Sequence, residues 1–205
     1  MALSAGVLFG IVAMIGYGFA DFFVERATRE EDVFDILLWS KVVSTALLGI
    51  ALAFLFQPAR VTVSGATLIL VAGLLNVAAY LAFYRGIQVG KLSIVSPVAS
   101  AWGAVTAIIG VFLLGQILTG IQSAAVGAVV AGTVLASFRW NDLAGRQWDN
   151  YETGIEYGAV ALLSWGISFA IIDILVGQIG WVMAIFLVLL VLLVTMGGYA
   201  GATGR

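Results

Sequence analysis

Seven apolar runs, each long enough to cross a bilayer as a helix, fill nearly the whole sequence and limit its fold more than any other feature. A helix of about 20 apolar residues spans the hydrocarbon of a membrane, whereas a strand of a membrane barrel needs about 10 and alternates in polarity. The runs here are long and apolar on every face, which selects helices. They cover 4–24, 33–56, 64–85, 92–114, 118–138, 154–176 and 180–199. A single water-soluble core is excluded by charge. Only 10% of the 205 residues are charged and 62% are hydrophobic, against about 25% charged in an ordinary soluble domain. So few charges cannot cover a surface in water, and the lipid bilayer is the remaining solvent. The expected fold class is an all-α membrane protein, a polytopic helical bundle with no separate soluble domain.

Several kinds of chemistry are excluded by what the chain lacks. It has no Cys and no His, hence no disulfide, no thiolate or imidazole metal site and no His general base. Its net charge of −2 argues against a nucleic-acid partner. No Walker motif is present, so ATP is not the expected energy source, and no cofactor or metal is expected. The opening Met-Ala-Leu-Ser lacks the basic stretch of a signal peptide, and the first run is read as a retained span.

Most connections are short: Gln57-Pro58-Ala59-Arg60, Gly86 to Lys91, and Gly115-Gln116. Two are polar, from Glu25 to Asp35 and from Arg139 to Thr153; the second carries Trp140, Trp148 and Tyr151, which suit a membrane interface. Basic residues are unevenly divided. The side of the N-terminus has Arg60, and the other side has Arg26, Arg29, Arg85, Lys91, Arg139, Arg146 and Arg205. Counted alone, these place the N-terminus outside the cell.

A shift of 148 positions lays the first span over the sixth. Gly6 meets Gly154, Phe9 meets Tyr157, Gly10 meets Gly158, Tyr17-Gly18 meets Trp165-Gly166, and Glu25 meets Asp173. The glycine and aromatic frame is more specific than the matching Val and Ala. It implies a five-span unit over 1–138, a polar interface loop over 139–153, and the start of a second unit over 154–205. A unit with an odd number of spans inverts when repeated, as in many secondary transporters. The expectation is therefore a five-span inverted repeat whose second copy is incomplete.

Three segments together resemble a known family: Tyr84-Arg85-Gly86-Ile87, Ser93-Ile94-Val95-Ser96-Pro97-Val98, and Phe112-Leu113-Leu114-Gly115-Gln116-Ile117-Leu118-Thr119. The set is similar to the EamA-type transporters of the drug/metabolite transporter superfamily. The aromatic-glycine pairs at Tyr17-Gly18 and Trp165-Gly166 match the first span of each of that family's repeats. The resemblance implies ten spans, so this chain is expected to be truncated after the seventh. It implies a Glu where Gln116 stands. It also implies a cytoplasmic N-terminus, which we prefer over the charge count because the basic residues are few and several sit in acidic loops. The implied location is the plasma (inner) membrane.

Polar and aromatic groups inside the spans are the candidate substrate-binding residues: Tyr17, Asp21, Asn76, Tyr80, Ser96, Pro97, Ser100 and Trp165, with Trp102 as a further aromatic. Asp21 shares a helical face with Gly6, Gly10, Ala13 and Tyr17, and small residues let helices approach closely, so that face is expected to look into the bundle. A carboxylate within a span is costly and commonly functional; Asp21 reads either as a substrate or proton site, or as an interfacial group that snorkels or pairs with Lys41. Pro97 removes the hydrogen bond to the Ser93 carbonyl, and Ser93, Ser96 and Ser100 share its face, which reads as a kinked cavity wall or as a packing kink. Asn76 and Tyr80 form a polar face for ligand or for interhelical bonding. Tyr17, Trp102 and Trp165 read as a ligand grip or as packing. The stripe Gly120, Ala124, Gly127, Ala128 and Ala131 is expected to pack against another helix. Glu25 and Asp173 lie at span ends and are expected at the interface.

The expected function is secondary transport of small organic metabolites or drugs by alternating access. The alternative is a structural or assembly subunit, with the chain as a dimer or completed by a missing C-terminal portion. A membrane-embedded enzyme ranks third: Lys41 is the sole Lys inside a span, and no Ser is evidently placed to pair with it.

Overall fold

A computed structural model of the chain describes residues 5–55, 61–137 and 154–204. The connection at 57–60 and the polar interface loop at 139–153 lie outside the described residues. Among the described residues eight helices follow in order: α1 (Ala5–Ala27), α2 (Val33–Leu55), α3 (Val63–Val89), α4 (Leu92–Ser100), α5 (Trp102–Phe112), α6 (Gly120–Ser137), α7 (Ile155–Ile179) and α8 (Trp181–Thr203). There is no strand among the described residues. Six segments of the described residues are long and apolar enough to cross a membrane, with α4 and α5 together forming one of them. The protein is an all-α, multi-pass membrane protein. Within the fifth expected span α6 is a helix of 18 residues, and residues 138–153 lie outside the described residues.

Local chemistry sets the helix ends. Thr62 caps α3 by accepting the Gly65 amide at 3.1 Å, satisfying one of the donors that a helix start leaves open. Gly180 joins α7 to α8 at φ +79°, a left-handed conformation that favours glycine. The fourth span breaks at Ala101, four residues beyond Pro97. The Pro97 carbonyl accepts the Thr133 hydroxyl of α6 at 3.4 Å, so a neighbouring helix meets the backbone at this disturbed stretch.

The centre of the bundle is the pair α3 and α7, which share the most extensive contact; α8 and the α4–α5 span pack around them. Small residues make this possible. Ala72, Gly73, Ala79, Ala82 and Gly86 of α3 are buried, as are Gly158, Ala161, Ser164, Gly166 and Ser168 of α7. One core layer joins Ala79, Phe83, Tyr84, Val95, Trp165 and Leu192; another joins Ile69, Ala72, Ile172, Leu175 and Val188.

Two expectations about packing are corrected. The part of the α1 face carrying Gly10 and Ala13 does not look into the bundle: both residues are exposed, and a Cβ built on Gly10 meets nothing within 4 Å. The stripe Gly120, Ala124, Gly127, Ala128 and Ala131 on α6 is likewise exposed. In both helices apolar residues cover the remaining faces as well, so lipid accepts any side, and small residues by themselves do not choose the packed one.

Candidate functional site

The lower ends of α1, α3 and α4, toward the connection at residues 90–91, bring several of the candidate groups to one place. Asp21 lies six residues before the end of α1 and Ser96 lies at the middle of α4. The Ser96 hydroxyl donates to Asp21 Oδ2 at 2.6 Å. This is a charge-assisted bond, roughly twice as strong as one between neutral groups. No other hydrogen bond to Asp21 is made among the described residues, which leaves Oδ1 free. Lys41 is not its partner: among the described residues the one ion pair joins Arg29 to Glu25 at 2.8 Å. The polar end of α1 is thus held to the α4 hydroxyl face, and the expected pairing with Lys41 is replaced.

Tyr80 stands beside this bond, with Tyr17, Tyr80 and Tyr84 all within electrostatic range of Asp21. Tyr80 packs edge-on to Trp165 of α7 at 4.9 Å between ring centres, and Trp165 also contacts Phe83 at 5.3 Å. Trp165 is buried, Tyr80 half-buried, and Tyr17 is 66% exposed. Ser96 and Pro97 are partly exposed and Ser100 fully so. Tyr17, Asp21, Tyr80 and Ser96 thus lie along the seam where α1 meets α3 and α4, Pro97 and Ser100 follow Ser96 on α4, and Trp165 packs against Tyr80.

Asn76 sits elsewhere. It is 5% exposed in the α3–α7 interface, where its Nδ2 donates to the Ala72 carbonyl at 3.0 Å and to Ser168 Oγ at 2.5 Å. Ser168 Oγ in turn donates to the Ala72 carbonyl at 3.1 Å. The amide therefore makes the interhelical bond that the sequence left open beside a ligand role. Asn76→Ala should lower stability by about 1 kcal/mol, read from reversible unfolding in mixed micelles, because Ser168 still satisfies the carbonyl.

Trp102 is also separate from the Asp21–Ser96 cluster. It stacks on Phe169 at 4.1 Å and lines a cleft of about 360 Å³ between α5 and α7 with Thr106, Gln116 and Asp173. There the Gln116 amide donates to Asp173 Oδ2 at 2.8 Å, and the Thr106 hydroxyl donates to the Gly166 carbonyl at 2.9 Å. The two acids matched by the repeat, Glu25 and Asp173, thus have different partners at opposite ends of the bundle.

Two buried groups on α2, Lys41 and Thr45, were not among the sequence candidates. Lys41 Nζ lies 3.4 Å from the centre of the Tyr80 ring. The signal was present in the sequence as the single lysine inside a span, with a hydroxyl residue one turn later.

The described residues thus form a multi-pass bundle in which a carboxylate, hydroxyls and aromatic rings gather beside a broken helix. The model of the EamA-like transporter family matches residues 4–138, and the chain belongs to that family. No curated protein and no solved structure matches the chain.

Proposed function

We propose that the protein is a secondary transporter of small organic metabolites or drugs, working by alternating access in the plasma membrane, with a groove along the seam of α1, α3 and α4, bordered by Tyr17, Asp21, Tyr80, Ser96, Pro97 and Ser100, as its solute path. Family membership supports the transport class. The observation that carries the assignment to this groove is the Asp21–Ser96 bond. An ionised group inside a span has to be held by protein or by water, and here one carboxylate oxygen is held by Ser96 and the other is open. The adjacent break at Ala101 gives the fourth span a point about which its two halves can reorient. The repeat supports the same reading, since an inverted second unit would supply the opposing half of an alternating-access pathway.

The serines flanking Lys41 do not support a Ser-Lys enzyme. The Ser40 hydroxyl donates to the Leu37 carbonyl at 2.9 Å and the Ser44 hydroxyl to the Ser40 carbonyl at 2.7 Å, and Ser40 also meets Tyr84, so both hydroxyls are already engaged. Reconstitution in liposomes tests the proposal. Saturable flux of small aromatic and aliphatic solutes is expected, without added ATP. Flux no greater than in protein-free vesicles, across solutes of either charge and under imposed proton or sodium gradients, would overturn it.

A further inference from the structure

Lys41 is 8% exposed, and its ammonium rests on the face of Tyr80. No carboxylate lies within ion-pair distance of it among the described residues. A cation–π contact offsets only part of what it costs to take an ammonium out of water. One turn further along α2, Thr45 is 6% exposed and its hydroxyl has no partner among the described residues. The contrast within α2 is informative. Ser40 and Ser44 bond to their own backbone, the ordinary solution for a hydroxyl in a span, and Thr45 does not. Spaced four residues apart, Lys41 and Thr45 share one face of the helix. A charged donor and a neutral one thus stand together with no acceptor, behind a half-buried tyrosine that borders the groove.

Such a pair is complemented by an anion. One ammonium balances one negative charge. A second would remain uncompensated close to Asp21, which already lies within electrostatic range of Tyr80 and Tyr84. The aromatic wall suits an apolar body. We infer that Lys41 and Thr45 form the anion subsite of the transported solute, receiving the carboxylate of a small monocarboxylate whose apolar part lies against Tyr80. This deepens the transporter reading and rests on it. Lys41 supplies the charge, Thr45 a directed hydrogen bond to a carboxylate oxygen, and Tyr80 yields the ammonium to the incoming anion.

Equilibrium binding to the purified full chain in micelles tests the inference, with benzoate, neutral benzamide, benzylammonium and inorganic phosphate as probes and tryptophan emission as the readout. Benzoate should bind at least about tenfold more tightly than any of the other three. Lys41→Met should weaken benzoate by about tenfold or more, Lys41→Arg by about threefold or less, and Thr45→Val by about three- to fivefold, each in protein that elutes as the parent does from gel filtration. Benzamide, benzylammonium or phosphate binding as tightly as benzoate, unchanged benzoate affinity in Lys41→Met, or no benzoate binding at all would each overturn it. The ranking of probes on the parent protein decides the matter even where Lys41→Met fails to fold. Liposome flux separates this inference from the transporter reading. The benzoate preference without flux of any solute removes the transporter and keeps the subsite, and flux without that preference does the reverse.

Discussion

Asp21→Asn is expected to reduce solute flux by about 10- to 100-fold, the effect of removing a charge-assisted interaction of about 1.5–3 kcal/mol with the solute. The substitution keeps the size of the side chain, and an amide oxygen can still accept from Ser96, so the fold should survive. What is lost is the charge on the free oxygen that borders the groove. Ser96→Ala should have a smaller effect, about three- to tenfold, because it leaves the carboxylate in place without its orienting donor. Initial rates in proteoliposomes with matched protein content measure both. Equal flux in Asp21→Asn and the parent would remove Asp21 from the pathway.

Gly166→Val is expected to cost about 1–3 kcal/mol or more through overpacking. A Cβ at Gly166 would lie 2.5 Å from the Cβ of Val105 and 3.2 Å from the carbonyl oxygen of Trp102. Neither is the flexible end of a side chain, so α5 and α7 would have to move apart. The same movement would stretch the Thr106 bond to the Gly166 carbonyl. Gly177→Val, on the same helix where a Cβ meets nothing within 4 Å, serves as the control and should be close to neutral. The fraction of protein recovered as a single species after heating in micelles compares the two. Equal recovery would mean that α5 and α7 do not pack as closely as described.

The spans were legible in the sequence because a bilayer demands them: any backbone in hydrocarbon has to satisfy its own hydrogen bonds, and length with apolarity is sufficient to mark the helices. The interruption of the fourth span was legible too, through Pro97. Helix placement within the bundle was not. Gly10 and Ala13 on α1 and Gly73 and Gly86 on α3 look alike in a sequence, yet the first pair is exposed and the second buried. In water an exposed apolar face is costly and betrays the packed side, whereas in lipid all faces of α1 are equally acceptable. The bond between Asn76 and Ser168 crosses 92 positions, and no spacing rule links such residues. Within the candidate site, Asp21, Tyr80 and Ser96 fall together, while Asn76 and Trp102 belong to other interfaces. Lys41 and Thr45 were passed over because each has an ordinary reading alone. Their significance lies in the missing acceptor, which is visible only once the neighbours are in place.

The most direct test of the groove as a solute path uses the absence of native cysteine. Single cysteines at Tyr17, Ser96 and Ser100, with Leu47 on the exposed face of α2 as the lipid-facing reference, are treated with a membrane-impermeant thiol reagent in sealed vesicles. Labelling at Ser96 and Ser100 well above that at Leu47, and slowed at Ser96 by a saturating transported solute, is the expected result. Ser96 and Ser100 as unreactive as Leu47 from both sides of the membrane would contradict a water-filled path between α1, α3 and α4.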